Sequence, residues 1–127
     1  MNIGLIGIGT VGGGTYQVLK ENAAEISNKS GIEIKITHVA DKNLKLAKET
    51  VENETIVEED AFSLIENSSI DTIIELIGGT GIALDIVRKA LENGKHVVTA
   101  NKALIAMHGE ELFKIANKKN VLLAYEA

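Results

Sequence analysis

The sequence predicts an α/β fold in which a doubly wound, mainly parallel sheet of six strands carries helices on both faces. Short apolar runs alternate with segments of helical periodicity along all 127 residues, an order that implies parallel strands joined by right-handed crossovers. The length suits one domain with a single core. A glycine-rich motif directly follows the first apolar run. Together these observations predict one Rossmann-type domain over residues 1–127.

The first half of the chain begins with residues 2–6, "NIGLI", a short apolar run bounded by glycine that predicts a buried strand. Residues 11–26 place apolar side chains near helical spacing, and "NKSG" ends that helix. Residues 32–40 alternate with period two and predict the second strand. A charged helix over 43–51 and a short strand over 55–57 follow.

The middle of the chain continues the alternation. Residues 60–67 predict a helix with Asp60 as its N-cap. Residues 70–79, "IDTIIELIGG", have the β-branched density of a central strand and close on two glycines. Residues 81–94 repeat apolar side chains at helical spacing and predict the next helix. Residues 95–100, "KHVVTA", predict the fifth strand.

The last third contains one more helix and one more strand. The apolar residues after "TANK" and the segment 109–120 are helical in pattern, and residues 121–125, "VLLAY", predict the sixth strand. Because this strand runs almost to Ala127 without a cap or turn, we expect the chain to be one domain cut from a longer protein.

Composition narrows the classes of ligand. A net charge of −5 argues against a nucleic-acid partner, because counterion release requires a basic face. No apolar run approaches the roughly 20 residues that span a bilayer. Cysteine is absent, which excludes disulfides and thiolate metal sites. We therefore expect a small-molecule ligand, no membrane insertion and, since the N-terminus lacks a signal-peptide pattern, a cytoplasmic location.

The motif "GIGTVG" gives Gly7, Gly9 and Gly12 the GxGxxG spacing between a strand and a helix. The first glycine allows the tight turn, the second lets the backbone approach a pyrophosphate, and the third lets the helix pack closely on the strand. With Thr10 and Val11, these residues form the predicted cofactor-binding loop. The helix N-terminus would offer free N–H groups to phosphates. The alternative is a glycine-rich turn that binds nothing.

An acid at the end of the second strand is the usual partner of this loop, because it holds the ribose hydroxyls of a dinucleotide. Asp41 in "HVADK" stands there. It would favour NAD by repelling the 2′-phosphate of NADP, whereas the adjacent Lys42 could attract that phosphate. The sequence thus predicts NAD or NADP as cofactor, with NAD slightly favoured. An ordinary role for Asp41 as helix N-cap or turn residue is the alternative.

The opposite half of the site should lie where the fourth and fifth strands end, because ligands bind at the carboxyl edge of an open parallel sheet. Gly78 and Gly79 would let the backbone approach the nicotinamide ribose. Thr99, Asn101 and Lys102 in "TANK" should face the reactive end of the cofactor. A turn glycine pair and a solvated lysine are the plain alternatives.

The strings "GLIGIGTVGGG", "IIELIGG", "HVVTANKALIA" and "YEA", in that order, resemble the N-terminal part of the homoserine dehydrogenases over the whole chain. The resemblance implies hydride transfer between NAD(P) and L-homoserine or L-aspartate 4-semialdehyde, in the biosynthesis of threonine, methionine and isoleucine. It implies that Lys102 is catalytic and contacts substrate and cofactor. It also implies that Glu126 supplies a ligand to a structural sodium ion.

In that family a substrate and dimerisation domain follows, which carries an Asp and a second Lys of the active site, so a homodimer or larger assembly is expected of the complete enzyme. Family members often have a basic residue where this chain has Ala40, which puts NADP use in doubt. The other hypotheses are another amino-acid dehydrogenase, such as aspartate dehydrogenase, and a non-enzymatic dinucleotide sensor. Neither requires Lys102 within the full "TANKALIA" string.

Four further polar residues are of types that can take part in chemistry. His38 within a strand predicts a hydrogen-bonded structural histidine, because an isolated histidine lacks the partners of a site. His96 and His108 lack metal-ligand spacing, so zinc is not expected. Glu75 inside "IIELI" is either buried and structural or orients the loop that follows it.

Overall fold

The computed structural model describes residues 1–77 and 80–125. The strands in this part of the chain are β1 (Asn2–Ile6), β2 (Lys35–Ala40), β3 (Ile56–Glu58), β4 (Thr72–Glu75), β5 (His96–Thr99) and β6 (Leu123–Tyr125). The helices are α1 (Thr10–Ser30), α2 (Leu44–Thr50), α3 (Ala61–Glu66), α4 (Ile82–Glu92) and α5 (Lys102–Lys119).

The strands form one sheet in the order β3-β2-β1-β4-β5-β6, and every pair is parallel. This confirms the predicted doubly wound α/β fold. The strand order reverses between β1 and β4, which makes this the topological switch point of the sheet, where ligands bind in such folds. From β1 the chain builds β2 and β3 on one side, and then returns to build β4, β5 and β6 on the other side. Because all strand pairs are parallel, the carboxyl ends of the six strands lie along the same edge of the sheet.

Most predicted elements agree with the structure, but four strands are shorter than expected: β2, β4, β5 and β6. The start of β2 and the start of β6 each have a local cause. The second strand was predicted from residue 32 and begins at Lys35, because Ile34 donates its N–H to the Ser27 hydroxyl of α1 at 3.1 Å instead of to the sheet. The last strand was predicted from residue 121 and begins at Leu123. There, the N–H of Val121 bonds the Ala116 carbonyl at the end of α5, and the N–H of Leu122 bonds His96 Nδ1.

Two helices are longer than expected. The first extends beyond residue 26 to Ser30 and ends at Gly31, which has a left-handed φ of 73°. The apolar run after Lys102 and the segment 109–120 belong to one helix, α5, which is capped by Asn101. The predicted N-cap Asp60 is confirmed, because its carboxylate accepts the N–H of Phe62 at 2.9 Å.

The central strands are buried on both faces, as parallel strands are. Adjacent residues Leu5 and Ile6 of β1 contribute to different core clusters, one on each side of the sheet. One cluster packs α3, α4 and α5 on the sheet through residues such as Leu64, Ile86 and Leu112. The other covers the face beneath α1 and α2. This double layer holds the strand ends rigidly, which is what a binding site at the sheet edge requires.

At the amino edge of the sheet, away from the predicted site, the ammonium of Lys95 is buried and donates to the carbonyls of Asn67 and Ile70 at 2.7 Å each. Burial lowers the pKa of Lys95. His38 is also hydrogen-bonded, as predicted, to the Thr37 hydroxyl at 2.8 Å and to the Asn67 amide at 3.3 Å. Lys95 and His38 therefore have structural roles at their positions.

Within the described residues there is neither a membrane-spanning helix nor a cluster of metal-ligating side chains. No helix there is long and apolar enough to cross a membrane. No group of three or more histidine or acidic side chains there could hold a metal ion. The predicted sodium ligand Glu126 lies outside the described residues.

Candidate cofactor-binding site

A cavity of about 840 Å³ opens at the carboxyl ends of β1, β2, β3 and β4. Its volume lies within the roughly 300 to 1,000 Å³ typical of small-molecule sites. The floor is largely apolar and the rim carries three acids and one lysine. The lining residues are Ile6, Gly7, Gly9, Ala40, Asp41, Lys42, Glu59, Asp60, Ala61, Phe62, Leu76, Ile77, Ile82 and Ile86.

The glycine loop forms one wall of this cavity. Gly7 has a φ of 96°, and a Cβ there would lie 3.2 Å from the Leu76 carbonyl carbon and 3.3 Å from the Ile77 nitrogen. Its N–H donates to the Ala40 carbonyl at 2.9 Å, which ties the turn to β2. Gly9, by contrast, has no atom within 4 Å of a Cβ position and is exposed. The two glycines thus divide the predicted tasks, one making the turn and the other leaving room for a ligand.

The N-terminus of α1 faces this open space. Gly9 is the N-cap and provides no side-chain hydrogen bond, while Thr10, Val11 and Gly12 form the first turn of the helix. The first N–H groups of a helix have no intrahelical acceptor, and together with the helix dipole they favour an anion. Gly14 has no packing neighbour within 4 Å of a Cβ position, so close packing does not explain that glycine.

Alanine substitutions at Gly7 and at Gly14 are expected to change the free energy of unfolding in opposite directions. Gly7→Ala should lower the free energy of unfolding by roughly 1 to 3 kcal/mol, because alanine is strained at this positive φ and would crowd the backbone after β4. Gly14→Ala should raise it by roughly 0.5 to 1 kcal/mol, since alanine favours a helix interior. Urea titrations followed by circular dichroism measure both. A Gly7→Ala protein as stable as the wild type would show that the turn tolerates a side chain.

Asp41 links the end of β2 to the glycine loop. One carboxylate oxygen accepts the N–H of Ile8 at 2.7 Å, and the other accepts the N–H of Asn43 at 2.8 Å. The Asn43 contact is a turn contact, so the alternative interpretation of Asp41 as a turn residue is correct for this bond. The N-cap of α2 is Asn43 itself, which accepts the N–H of Leu46, so the N-cap interpretation of Asp41 is wrong. Asp41 also lines the cavity together with the exposed Lys42.

The residues of "TANK" lie on the neighbouring strand end and are not among the lining residues of the cavity. Thr99 is fully buried, and its hydroxyl donates to Glu75 Oε1 at 2.6 Å. Asn101 is buried and caps α5 by accepting the N–H of Leu104 at 3.0 Å. Lys102 is the first residue of α5 and is exposed. Across residues 1–77 and 80–125, no hydrogen bond or ion pair engages its ammonium.

The structure therefore gathers Gly7, Gly9, Asp41 and Lys42 around one cavity and leaves Lys102 at the adjacent strand end. Gly78 and Gly79 lie outside the described residues. Sequence reasoning missed the acid Glu59 on the rim and the apolar side chains of α3 and α4 in the wall. The position of Glu59 just after β3 was the available signal, because the carboxyl ends of parallel strands share one edge.

The strand order, the glycine loop and the acid after β2 define a domain that binds a nicotinamide dinucleotide. Residues 7–126 match the family model described as homoserine dehydrogenase, NAD binding domain. The chain belongs to this family. The match favours a homoserine dehydrogenase over the other amino-acid dehydrogenases and the sensor considered from the sequence.

Similar proteins agree with the family match. The chain is 48% identical over its whole length to a homoserine dehydrogenase of Neisseria gonorrhoeae, and 51% identical over 94% of its length to one of Methylobacillus glycogenes. It spans 29% of the length of each of these relatives. A crystal structure of a homoserine dehydrogenase from Thiobacillus denitrificans matches 99% of this chain and 29% of its own, with a TM-score of 0.92 and 42% identity.

Proposed function

We propose that this chain is the cofactor-binding domain of an NAD(P)-dependent homoserine dehydrogenase. The complete enzyme would transfer hydride between the cofactor and L-homoserine or L-aspartate 4-semialdehyde. The observation that carries the proposal is the joint placement of a glycine-loop cavity and the exposed Lys102 along the same carboxyl edge of one sheet. Cytoplasmic location, a homodimer or larger assembly and a sodium site at Glu126 belong to the same proposal through the family resemblance.

Each group at this edge has a definite task in that reaction. The open backbone at Gly9 and the first turn of α1 would hold the pyrophosphate. Asp41 would accept hydrogen bonds from the ribose hydroxyls at the adenosine end. When bound, the cofactor would supply the hydride. As the hydride reaches the aldehyde carbon, negative charge develops on the carbonyl oxygen, and an ammonium near that oxygen stabilises it.

Lys102 is the described residue suited to that role, because its ammonium is exposed at the start of α5 on the same edge. It could protonate the oxygen directly or hold the substrate while a second lysine of the substrate domain moves the proton. We favour the second role.

The rim of the cavity supports NAD over NADP as cofactor. Asp41, Glu59 and Asp60 line it, against the single cation Lys42. A 2′-phosphate at the adenosine ribose would lie in a cavity whose lining carries these three carboxylates, and repulsion between like charges at such a site weakens binding. The acids therefore outweigh the attraction that Lys42 offers.

Dinucleotide binding to this chain can be measured by thermal unfolding. A ligand that binds only the native state at about 100 times its Kd adds about 2.7 kcal/mol to the stability, which raises the Tm by several degrees. We expect this shift with NAD and a smaller one with NADP. Sodium chloride at matched ionic strength is the control. The absence of a shift with either dinucleotide at millimolar concentration would refute cofactor binding, and a larger shift with NADP would reverse the preference.

A further inference from the structure

Glu75, the last residue of β4, is a fully buried carboxylate at the edge of the sheet where the cofactor is expected. Both oxygens accept hydrogen bonds, Oε2 from the N–H of Ile77 at 2.8 Å and Oε1 from the hydroxyl of Thr99 at 2.6 Å. The first bond holds the backbone that leaves β4. The second holds the end of β5, where Thr99 is also the register partner of Glu75.

The contacts continue from Thr99 into α5. The Thr99 hydroxyl accepts the N–H of Asn101 at 3.0 Å, and the Asn101 side chain accepts the N–H of Leu104 at 3.0 Å. The N–H of Ala100 donates to the Glu75 carbonyl at 3.3 Å. Lys102 follows Asn101 directly, so the start of its helix is fixed relative to the loop after β4 by a chain of hydrogen bonds that begins at Glu75.

A buried carboxylate at this position is energetically unfavourable unless it is hydrogen-bonded. Burying a charged or polar group costs free energy unless its hydrogen bonds are satisfied, and a central parallel strand otherwise favours apolar residues. Apolar side chains could fill the same space without that cost. They could not hold both loops, because an apolar side chain has no acceptor, whereas the carboxylate offers one oxygen to the Ile77 N–H and the other to the Thr99 hydroxyl.

We propose that Glu75 is a positioning residue for the nicotinamide end of the site. It sets the backbone after β4 and the start of α5, and hence Lys102, against the reactive half of the cofactor, while the adenosine half is held separately by the glycine loop and Asp41. This inference rests on the proposed function. A purely structural Glu75 would affect the fold as a whole and thus both halves of the site equally.

Three substitutions test the proposal. Glu75→Gln keeps the size of the side chain but places an NH₂ donor opposite either the Ile77 N–H or the Thr99 hydroxyl. Thr99→Val keeps the shape of the side chain and removes the hydroxyl that joins Glu75 to Asn101. Thr99→Ser keeps the hydroxyl and is the matched control. The ligands are NADH, followed by its fluorescence, and ADP-ribose, which lacks the nicotinamide, followed by its displacement of NADH.

We expect Glu75→Gln and Thr99→Val to weaken NADH binding by about tenfold, equivalent to 1.4 kcal/mol, with ADP-ribose binding changed less than about twofold. The emission spectrum of bound NADH should shift towards that of the free cofactor. Thr99→Ser should bind both ligands as the wild type does. If Glu75→Gln does not fold, the comparison of Thr99→Val with Thr99→Ser by itself tests the proposal.

Two results would overturn the inference while leaving dinucleotide binding intact: equal weakening of NADH and ADP-ribose, or no change in either. A wild-type chain that binds neither ligand would overturn the proposed function and this inference with it. The wild-type measurement therefore separates the two failures.

Discussion

Lys102→Ala is expected to lower the turnover of the complete dehydrogenase by roughly 10²- to 10⁴-fold, the range that a positioned acid–base or charge-stabilising group contributes. The ammonium is exposed at the start of α5, and no hydrogen bond or ion pair holds it within the described residues. Its removal therefore leaves no unsatisfied partner there. We expect the free energy of unfolding to change by less than about 0.5 kcal/mol, as for other surface substitutions.

The measurement is the rate of aldehyde reduction, followed by the loss of reduced cofactor absorbance at saturating substrate. Lys118→Ala, near the opposite end of the same helix and also exposed, is the matched control and should leave turnover unchanged. Lys102→Arg keeps the charge but alters its geometry, and should retain only part of the activity. A Lys102→Ala enzyme with turnover near the wild-type value would show that the lysine is an ordinary solvated residue.

Asp41→Ala is expected to weaken NAD binding by roughly 10- to 100-fold, because a hydrogen bond to a charged group contributes about 1.5 to 3 kcal/mol. The substitution also removes the acceptor of the Ile8 and Asn43 N–H groups, so the glycine loop should become less firmly placed. The affinity for NADP should fall less than that for NAD, since the repulsion of the 2′-phosphate decreases. Isothermal titration with each dinucleotide measures both effects.

Glu59→Ala distinguishes the effect of the negative charge on the cavity rim from the effect of the hydrogen bonds that Asp41 would make to the cofactor. Glu59 lines the same cavity and is exposed, and its removal takes the same charge from the rim as Asp41→Ala does. We expect Glu59→Ala to leave NAD binding unchanged and to improve NADP binding modestly, because surface charge effects are screened by salt. If Asp41→Ala bound NAD as tightly as the wild type, the carboxylate would be only the loop anchor that its contacts with Ile8 and Asn43 describe.

Much of the fold followed from local patterns. Period-two and period-3.6 repeats reflect which face of one strand or helix is buried, so they predicted the order of the elements along the chain without tertiary information. The boundaries were less well predicted. Strand β2 begins at Lys35 rather than at residue 32 because the Ser27 hydroxyl, on a different element, takes the N–H of Ile34. A competing acceptor of this kind leaves no trace in the alternation of the strand.

The candidate site was likewise predicted only in part from the sequence. The spacing of Gly7, Gly9 and Gly12 identified the loop, because a tight turn and a close approach to a ligand both require a missing side chain. The position of Asp41 at a strand end identified the acid. The Asp41 contact with Ile8 was not predicted, because the two residues are 33 positions apart and meet only through the pairing of β1 with β2.

The sequence by itself determined the α/β class, the glycine loop and the placement of Lys102 just beyond a strand end, because each depends on residues that are neighbours along the chain. The tertiary structure decided the contacts of Glu75. Sequence left it either buried and structural or a residue that orients the next loop, and the fold buries it and bonds it to Ile77 and to Thr99, which lies 24 residues away. Hydrogen-bond partners across a sheet depend on strand order and register, which the whole core sets together.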